Sequence, residues 1–346
     1  MLDQIARELH LAKSTVSMCL SGNALKYKIK AETIANVCAY AAQLGYVPNR
    51  MAQRLSQKGL SPVGIMLRFD SCTEKRLAAL QAAVRQLSES GRDYLIYHYS
   101  LGGLAAGIAE LKGYRIQEVL CYSAFDFVKI HEQENISDLL SLSQGMELFF
   151  MDTYFPVVGD FSWPSRFHLY GFNRQALYND FFRRFVDAGI ELFVIEDEFC
   201  VPAALSAGIS RDKIFPLPEQ GWSQYLSENI FDIGIAAGEL IVERIAGRRS
   251  MIVVRDDRRA AGIMDVLLRK GCRIPEDALV IGFDNIEAAP FFRVPLTSVD
   301  LPFTLMTHEV IDGIIKNKKL PRQKIFPLEM VWRTSCPEEA GLATIK

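Results

Sequence analysis

Residues 2–20, LDQIARELHLAKSTVSMCL, decide the fold of the first part of this chain. Ile5 and Leu9 lie on one face of a first predicted helix, because residues four apart share a helix face. Val16 and Leu20 lie on one face of a second. Two short helices joined by a tight corner are typical of a helix-turn-helix, whose second helix enters the major groove of DNA.

A third helical pattern completes a small head. It runs over residues 31–44, where Ile34, Val37 and Ala41 form an apolar stripe that can cover the first two helices. Gly45 follows directly, and glycine commonly ends a helix. The sequence therefore predicts a compact three-helix domain over residues 1–45.

The charge of the chain is divided unevenly. Residues 1–60 contain eight Lys and Arg and three Asp and Glu, a net charge of +5, whereas the whole chain carries −2 and the remainder −7. A basic head on an acidic body is the charge pattern of a protein that contacts phosphate backbone at one end only.

Length and composition favour a globular protein with two further lobes. The chain has 346 residues, and 49% of them are hydrophobic. No apolar run has the length of a membrane span, and the N-terminal segment does not resemble a signal sequence. Seven widely spaced cysteines match neither a disulfide framework nor a zinc site, so reduced thiols and a cytoplasmic location are expected.

After residue 61, short apolar runs alternate with helical patterns, which predicts parallel sheets in an α/β fold. The predicted strands are 63–69, 94–99, 118–123, 146–152, 191–196, 250–256 and 278–284, and the predicted helices are 73–90, 104–112, 126–143, 174–188, 231–246 and 258–271. The elements fall into two sets, so we expect two lobes with a cleft between them.

Two groups of motifs resemble LacI-family transcriptional repressors over nearly the full length. The first group lies in the head and the segment after it: Ala6, Thr15-Val16-Ser17, Leu44-Gly45-Tyr46-Val47-Pro48-Asn49 and Ala52-Gln53-Arg54-Leu55. The second lies in the body: Val253-Val254-Arg255-Asp256-Asp257, Ile281-Gly282-Phe283-Asp284-Asn285, Pro295-Leu296-Thr297-Ser298-Val299 and Val331-Trp332-Arg333-Thr334-Ser335-Cys336. The likeness is weakest between about residues 100 and 230.

The resemblance implies a helix-turn-helix head, a hinge and a periplasmic-binding-protein-like domain of two lobes. The head spans 1–45, the hinge 46–60 and the effector-binding and dimerisation domain 61–337. We assign about 61–171 and 302–320 to lobe 1, and about 172–298 and 321–337 to lobe 2.

The resemblance also implies a set of DNA-binding residues. These are Lys13, Ser14, Thr15, Ser17, Met18, Tyr46, Asn49, Arg50, Gln53 and Leu55. Leu55 corresponds to an apolar side chain that wedges between base steps in the minor groove. Several positions of the head depart from the family: His10 replaces the usual Gly at the corner, Ala12 the Ser that usually opens the second helix, and Met18 an Arg, so base readout should differ.

Four residues are implied to bind the effector. Asp284 matches a carboxylate that accepts hydrogen bonds from hydroxyl groups, and Asp256 stands where Asn is usual. Trp222 and Phe303 match aromatic positions against which a carbohydrate can stack. The family's Arg after the strand at 191–196 is missing, so either Arg255, Arg258 or Arg259 supplies the charge or the ligand has changed.

The function expected from this pattern is a DNA-binding transcriptional repressor. It should form a homodimer on a near-palindromic operator and respond to a small molecule, a sugar or related metabolite. The alternative is an α/β enzyme or ligand-binding module whose N-terminal helices do not read DNA. We expect no enzyme activity, cofactor or metal, since no Walker A, GxSxG or HExxH motif is present and the five histidines are scattered.

Overall fold

The computed structural model describes residues 2–20, 24–46, 61–68, 73–100, 102–122, 136–155, 163–196, 200–217 and 229–341. The chain divides into two units, Met1–Leu60 and Ser61–Lys346. None of the helices in the described ranges combines the length and the apolarity needed to cross a bilayer.

The first unit is the predicted three-helix head. Its helices are α1 (Leu2–Glu8), α2 (Lys13–Leu20) and α3 (Ala31–Gln43). Ile5, Val16 and Val37 form the centre of its core. The corner residue His10 has φ +50°, the left-handed conformation for which glycine is the usual choice.

The second unit contains two six-stranded sheets within the described residues. Its strands are β1 (Val63–Leu67), β2 (Tyr94–His98), β3 (Glu118–Cys121), β4 (Glu147–Tyr154), β5 (Phe167–Phe172), β6 (Leu192–Ile195), β7 (Ile214–Pro216), β8 (Ser250–Val253), β9 (Ala278–Asp284), β10 (Thr297–Asp300), β11 (Gln323–Phe326) and β12 (Glu329–Val331). The first sheet has the order β11-β5-β4-β3-β1-β2 and the second β12-β10-β9-β8-β6-β7. All pairs are parallel except β10 with β12.

Helices connect the strands in the way that parallel sheets require. They are α4 (Glu74–Glu89), α5 (Leu104–Gly113), α6 (Ile136–Leu142), α7 (Arg174–Phe185), α8 (Cys200–Ser206), α9 (Ile230–Ile245), α10 (Asp257–Arg269) and α11 (Phe303–Ile315). The two-lobed parallel α/β fold expected from the sequence is confirmed. Of the predicted helix at 126–143, residues 126–135 lie outside the described ranges.

One predicted lobe boundary is wrong. We assigned 321–337 to lobe 2, but β11 pairs with β5 and forms the edge of the first sheet. The reason is packing: Phe326 is buried with its ring centroid 6.3 Å from that of Tyr170, and Lys324 Nζ lies 2.5 Å from Glu309 on α11. The chain therefore returns to the second lobe only at β12.

A buried carboxyl group joins three elements of the second lobe. Asp257, the first residue of α10, accepts hydrogen bonds from the Ile286 N–H (2.9 Å) and from the Ser298 hydroxyl (2.6 Å). Ser298 Oγ in turn accepts from the Asn285 N–H at 3.0 Å. Burial raises the pKa of Asp257 to about 7, although both hydrogen bonds lower it.

Helices α9 and α10 approach each other closely because glycines face the contact. A Cβ atom added at Gly262 would lie 2.2 Å from the Phe231 carbonyl oxygen and 2.8 Å from the Ile235 nitrogen. Backbone atoms cannot yield as a flexible side chain can, so the two helices would have to separate.

We predict that Gly262→Ala lowers the free energy of unfolding by about 1–3 kcal/mol, the usual cost of overpacking. Gly113→Ala is the matched control, since Gly113 is also helical and a Cβ there meets nothing within 4 Å. The control should leave stability unchanged or raise it by up to about 1 kcal/mol. Urea unfolding of both variants measures this, and equal midpoints would contradict the packing argument.

We further predict that Asp257 makes stability fall as pH rises from about 4 to 7. Its folded pKa exceeds its unfolded value, so in this window the native state holds a proton that the unfolded chain has released. The effect is on the order of 4 kcal/mol from the shift in pKa. Asp257→Asn should remove this slope, while Asp265→Asn, an exposed site on the same helix, controls for the substitution. If the free energies of unfolding of wild type and Asp257→Asn change with pH in parallel between about pH 4 and 7, the assignment is refuted.

Candidate functional sites in the head and the cleft

Helix α2 presents a polar face to solvent. Lys13, Ser14 and Ser17 are exposed, whereas Thr15 and Met18 are half-buried. The opposite face supplies Val16 and Cys19 to the core of the head. An α-helix fits the major groove, and exposed hydroxyl and ammonium groups can contact base edges and phosphates. The five residues of α2 assigned to DNA binding are thus placed on a short exposed helix, with Met18 partly turned inward.

Lys13 has a neighbour of opposite charge. Its Nζ lies 2.9 Å from the carboxylate of Asp3 at the start of α1, and both side chains are exposed. The Lys13 ammonium group donates a hydrogen bond to this carboxylate and so lowers the pKa of Asp3. An exposed ion pair of this kind adds little to stability. A phosphate group that approaches Lys13 competes with this carboxylate.

The remaining DNA-binding residues assigned from the sequence lie at or after the end of the head. Tyr46 is half-buried, packs against the core of the head, and its N–H donates to the Ala41 carbonyl at 2.9 Å. Asn49, Arg50, Gln53 and Leu55 lie outside the described residues, so their DNA contacts stay predictions.

In the second unit, the carboxyl ends of the two sheets mark the cleft, as is general for open parallel sheets. Asp284 ends β9 and is 6% exposed, with φ +106°. Burial raises its pKa well above the usual range, and Asp256 raises it further. Arg76 of α4 and Arg174 of α7 act in the opposite direction. Asp284 therefore lies within electrostatic reach of both lobes.

Asp256 performs a structural task beside Asp284. One of its carboxylate oxygens accepts from the Arg258 N–H at 2.8 Å and so caps α10. The other accepts from Arg258 Nη2 at 2.9 Å. A carboxylate at this position, where the family has Asn, thus keeps its cap and gains an ion pair. Its role in binding an effector stays a prediction.

The three arginines expected to replace the family's missing Arg are held by carboxylates of the second lobe. Arg258 pairs with Asp256, as described. Arg255 Nε lies 3.3 Å from Glu196, and Arg259 donates to the same carboxylate. Glu196 is almost completely buried, so this pairing compensates a charge inside the lobe.

The two aromatic residues assigned to the effector have different outcomes. Trp222 lies outside the described residues. Phe303 begins α11 and is 1% exposed, because the Arg76 guanidinium covers its face at 5.1 Å and Phe172 meets it edge-on at 6.0 Å. Direct contact between Phe303 and an effector stays a prediction, and the ring supports an arginine in this structure.

Three polar residues at the cleft were missed from the sequence: Arg76, Asp152 and Arg174. Arg76 donates through Nε to Asp152 at the carboxyl end of β4, at 3.1 Å. Arg174 begins α7 and lies 4.2 Å over the Phe283 ring. The sequence could have indicated them only by their place relative to predicted elements, since each lies near the carboxyl end of a strand or at the start of a helix.

Comparison with known proteins agrees with this architecture. Residues 223–336 match the model of the periplasmic binding protein-like domain. The HTH-type transcriptional regulator AscG of Escherichia coli (strain K12) is 26% identical over 332 residues, which cover 90% of each chain. The HTH-type transcriptional repressor PurR of Vibrio atlanticus (strain LGP32) is 44% identical over 71 residues, 20% of this chain and 21% of PurR.

A solved structure shares the fold over almost the whole chain. It is the Lac repressor dimer bound to operator and the anti-inducer ONPF, with a TM-score of 0.74 and 17% identity, covering 97% of this chain and 99% of the repressor. Both sequence relatives are HTH-type transcriptional regulators by name. Together these comparisons support the LacI family of transcriptional regulators as the family of this chain.

Proposed function

We propose that this protein is a sequence-specific DNA-binding repressor controlled by a small molecule in the cleft. The observation that carries the proposal is the presence in one chain of two units with separate tasks. The first exposes a polar recognition helix on a basic head. The second buries a carboxyl group, Asp284, at the carboxyl ends of parallel strands.

The proposed DNA site is a near-palindromic operator bound by a homodimer. The predicted hinge, 46–60, is too short to form a stable helix alone in water, so it needs a partner helix and DNA. A twofold dimer places two heads on two half-sites. The solved Lac repressor described above is a dimer on its operator, which supports this arrangement. Its place of action is then the cytoplasm, where bacterial DNA lies.

The proposed effector is a carbohydrate or related metabolite. Carboxylates accept several hydrogen bonds from hydroxyl groups, and Asp284 and Asp256 lie near each other at the strand ends. A ligand that binds one lobe arrangement more tightly shifts the equilibrium toward it, which can change the spacing of the two hinges in a dimer. We propose no catalytic step, since this function needs only binding.

A mobility-shift assay with a library of genomic fragments tests the proposal. We expect the protein to retain a small set of fragments in the presence of excess random DNA, because base contacts add about 4–10 kcal/mol to non-specific binding. Equal retention of all fragments, or of none, would contradict a repressor.

The ion pair on the head leads to a prediction about salt dependence. Lys13→Gln should weaken specific and random DNA alike and reduce the slope of log affinity against log salt by about 1, since one phosphate contact is lost. Asp3→Asn should strengthen both, because a competing carboxylate is removed. Filter-binding titrations at several salt concentrations measure the slopes. An unchanged slope in Lys13→Gln would show that Lys13 does not neutralise a phosphate.

A second prediction concerns the response to the effector. Asp284→Asn should keep dimerisation and effector-free operator affinity but lose the response, because the amide removes a carboxylate from the cleft. Asn is chosen because it tolerates positive φ better than most residues. The ligand is first found by thermal-shift screening of sugars and polyols, and operator titrations then compare wild type, Asp284→Asn and Asp312→Asn, a half-buried control on α11 whose carboxylate pairs with Lys316. A response at the same effector concentration in all three would remove Asp284 from the site.

A further inference from the structure

Two arginines and three phenylalanines form a continuous series of contacts between the two sheets, which we call the guanidinium–aromatic stack. Its members, in spatial order, are Arg76, Phe303, Phe172, Arg174 and Phe283. The guanidinium carbon of Arg76 lies 5.1 Å from the Phe303 centroid, and Phe303 lies 6.0 Å from Phe172. The guanidinium carbon of Arg174 lies 5.8 Å from the Phe172 centroid and 4.2 Å from that of Phe283. All distances fall in the range of cation–π and aromatic contacts.

The stack fixes both guanidinium groups in place. Its rings are contributed by β5, β9 and the start of α11, and all three are buried in one hydrophobic core. Arg76 is also held by Asp152, through Nε at 3.1 Å and Nη2 at 3.0 Å. A guanidinium with a fixed plane loses little further freedom when it binds a ligand, and this preorganisation favours affinity.

The same two arginines act electrostatically on the carboxyl group that is expected to bind the effector. Asp284 directly follows Phe283 in β9, and Arg76 and Arg174 are the cations that lower its pKa against burial and the repulsion of Asp256 and Asp257. The Arg174 guanidinium lies 4.2 Å over the ring of Phe283, the residue before Asp284, so it lies close to this part of the cleft.

Other arginines of the described cleft have different tasks. Arg255 and Arg259 bind the buried Glu196, and Arg258 binds Asp256 at the cap of α10. They stabilise the second lobe. Arg76 and Arg174, the two arginines with the largest effect on the pKa of Asp284, thus lie on α4 and at the start of α7, whereas the sequence suggested Arg255, Arg258 and Arg259.

We propose that Arg76 and Arg174 determine effector specificity and select a polyhydroxylated ligand that carries an oxyanion, either a carboxylate or a phosphate. Guanidinium groups bind both by paired N–H···O bonds, which neutral hydroxyl groups cannot match in strength. The inference rests on the proposed effector site, but it concerns ligand binding alone and can be tested without DNA.

The test uses the full chain and matched ligand pairs. D-Glucose is compared with D-gluconate, D-glucuronate and D-glucose 6-phosphate, and D-galactose with its corresponding acids and 6-phosphate, by thermal shift and then calorimetry. We expect at least one anionic member to bind and its neutral counterpart to bind at least tenfold more weakly. The uronate and phosphate arms distinguish the two oxyanions. Neutral sugars that bind as tightly as the acids, or a full set without binding, would overturn the inference.

Variants then assign the effect to the stack. Arg174→Gln and Arg76→Gln should each weaken the anionic ligand by about 10- to 100-fold, the loss expected for a charge-assisted hydrogen-bonded pair. Arg174→Lys keeps the charge without the planar fork, and should recover only part of the affinity. Arg244→Gln is the matched control, since Arg244 also lies over a ring, Phe215 at 4.3 Å, near the end of α9 that leads to the amino end of β8.

The outcomes separate the inference from the proposed function. If anionic binding is unchanged in Arg174→Gln and Arg76→Gln, the stack does not select the ligand, whatever the protein does on DNA. If the protein fails to select genomic DNA but binds an anionic polyol through these arginines, the repressor proposal fails and the specificity inference stands. Circular dichroism and the thermal midpoint without ligand verify that each variant is folded. The comparison of anionic with neutral ligands uses the wild-type protein, so it does not depend on the folding of any variant.

Discussion

The buried carboxyl group of Asp284 is the constraint on which the cleft depends. Placing a carboxyl away from water is costly unless charges or hydrogen bonds compensate it, and here two further acids, Asp256 and Asp257, lie within electrostatic reach. In the second lobe, Asp256 forms an ion pair with Arg258, and Asp257 accepts hydrogen bonds from the Ser298 hydroxyl and the Ile286 N–H. The first lobe contributes Arg76, so the electrostatics of Asp284 depend on both lobes at once.

Patterns of local origin were predictable from the sequence. The three helices of the head follow from apolar spacing and a stop at Gly45, and the alternation of strands and helices predicts two parallel α/β lobes. Strands β5, β7, β10, β11 and β12 were not predicted from the sequence. β11 joins the first sheet through contacts with Tyr170 and Glu309, which are distant in sequence. Such pairing depends on tertiary packing that no local pattern encodes.

Some residues of the candidate effector site were also predictable from the sequence, and others were not. Asp284 and Asp256 were identified through family motifs, and both lie at the carboxyl ends of strands or just beyond them. Arg76 and Arg174 were missed because an arginine at a helix start has the same local appearance whether it is solvated or stacked on a buried ring. Phe303 was predicted as an aromatic surface for a ligand, but in the structure its face is covered by Arg76. Whether such an arginine is solvated or stacked depends on the positions of Phe172, Phe283 and Phe303, which come from three separate segments of the chain.

The central claim is that the cleft and the DNA-binding head are coupled, and thermodynamic linkage tests it most directly. Calorimetry can measure effector affinity for the protein alone and for the protein saturated with its operator, beside operator affinity with and without effector. We expect operator to change effector affinity by the same factor by which effector changes operator affinity, about 5- to 150-fold, because coupling between two sites is reciprocal. An effector affinity that is the same with and without operator would contradict the claim.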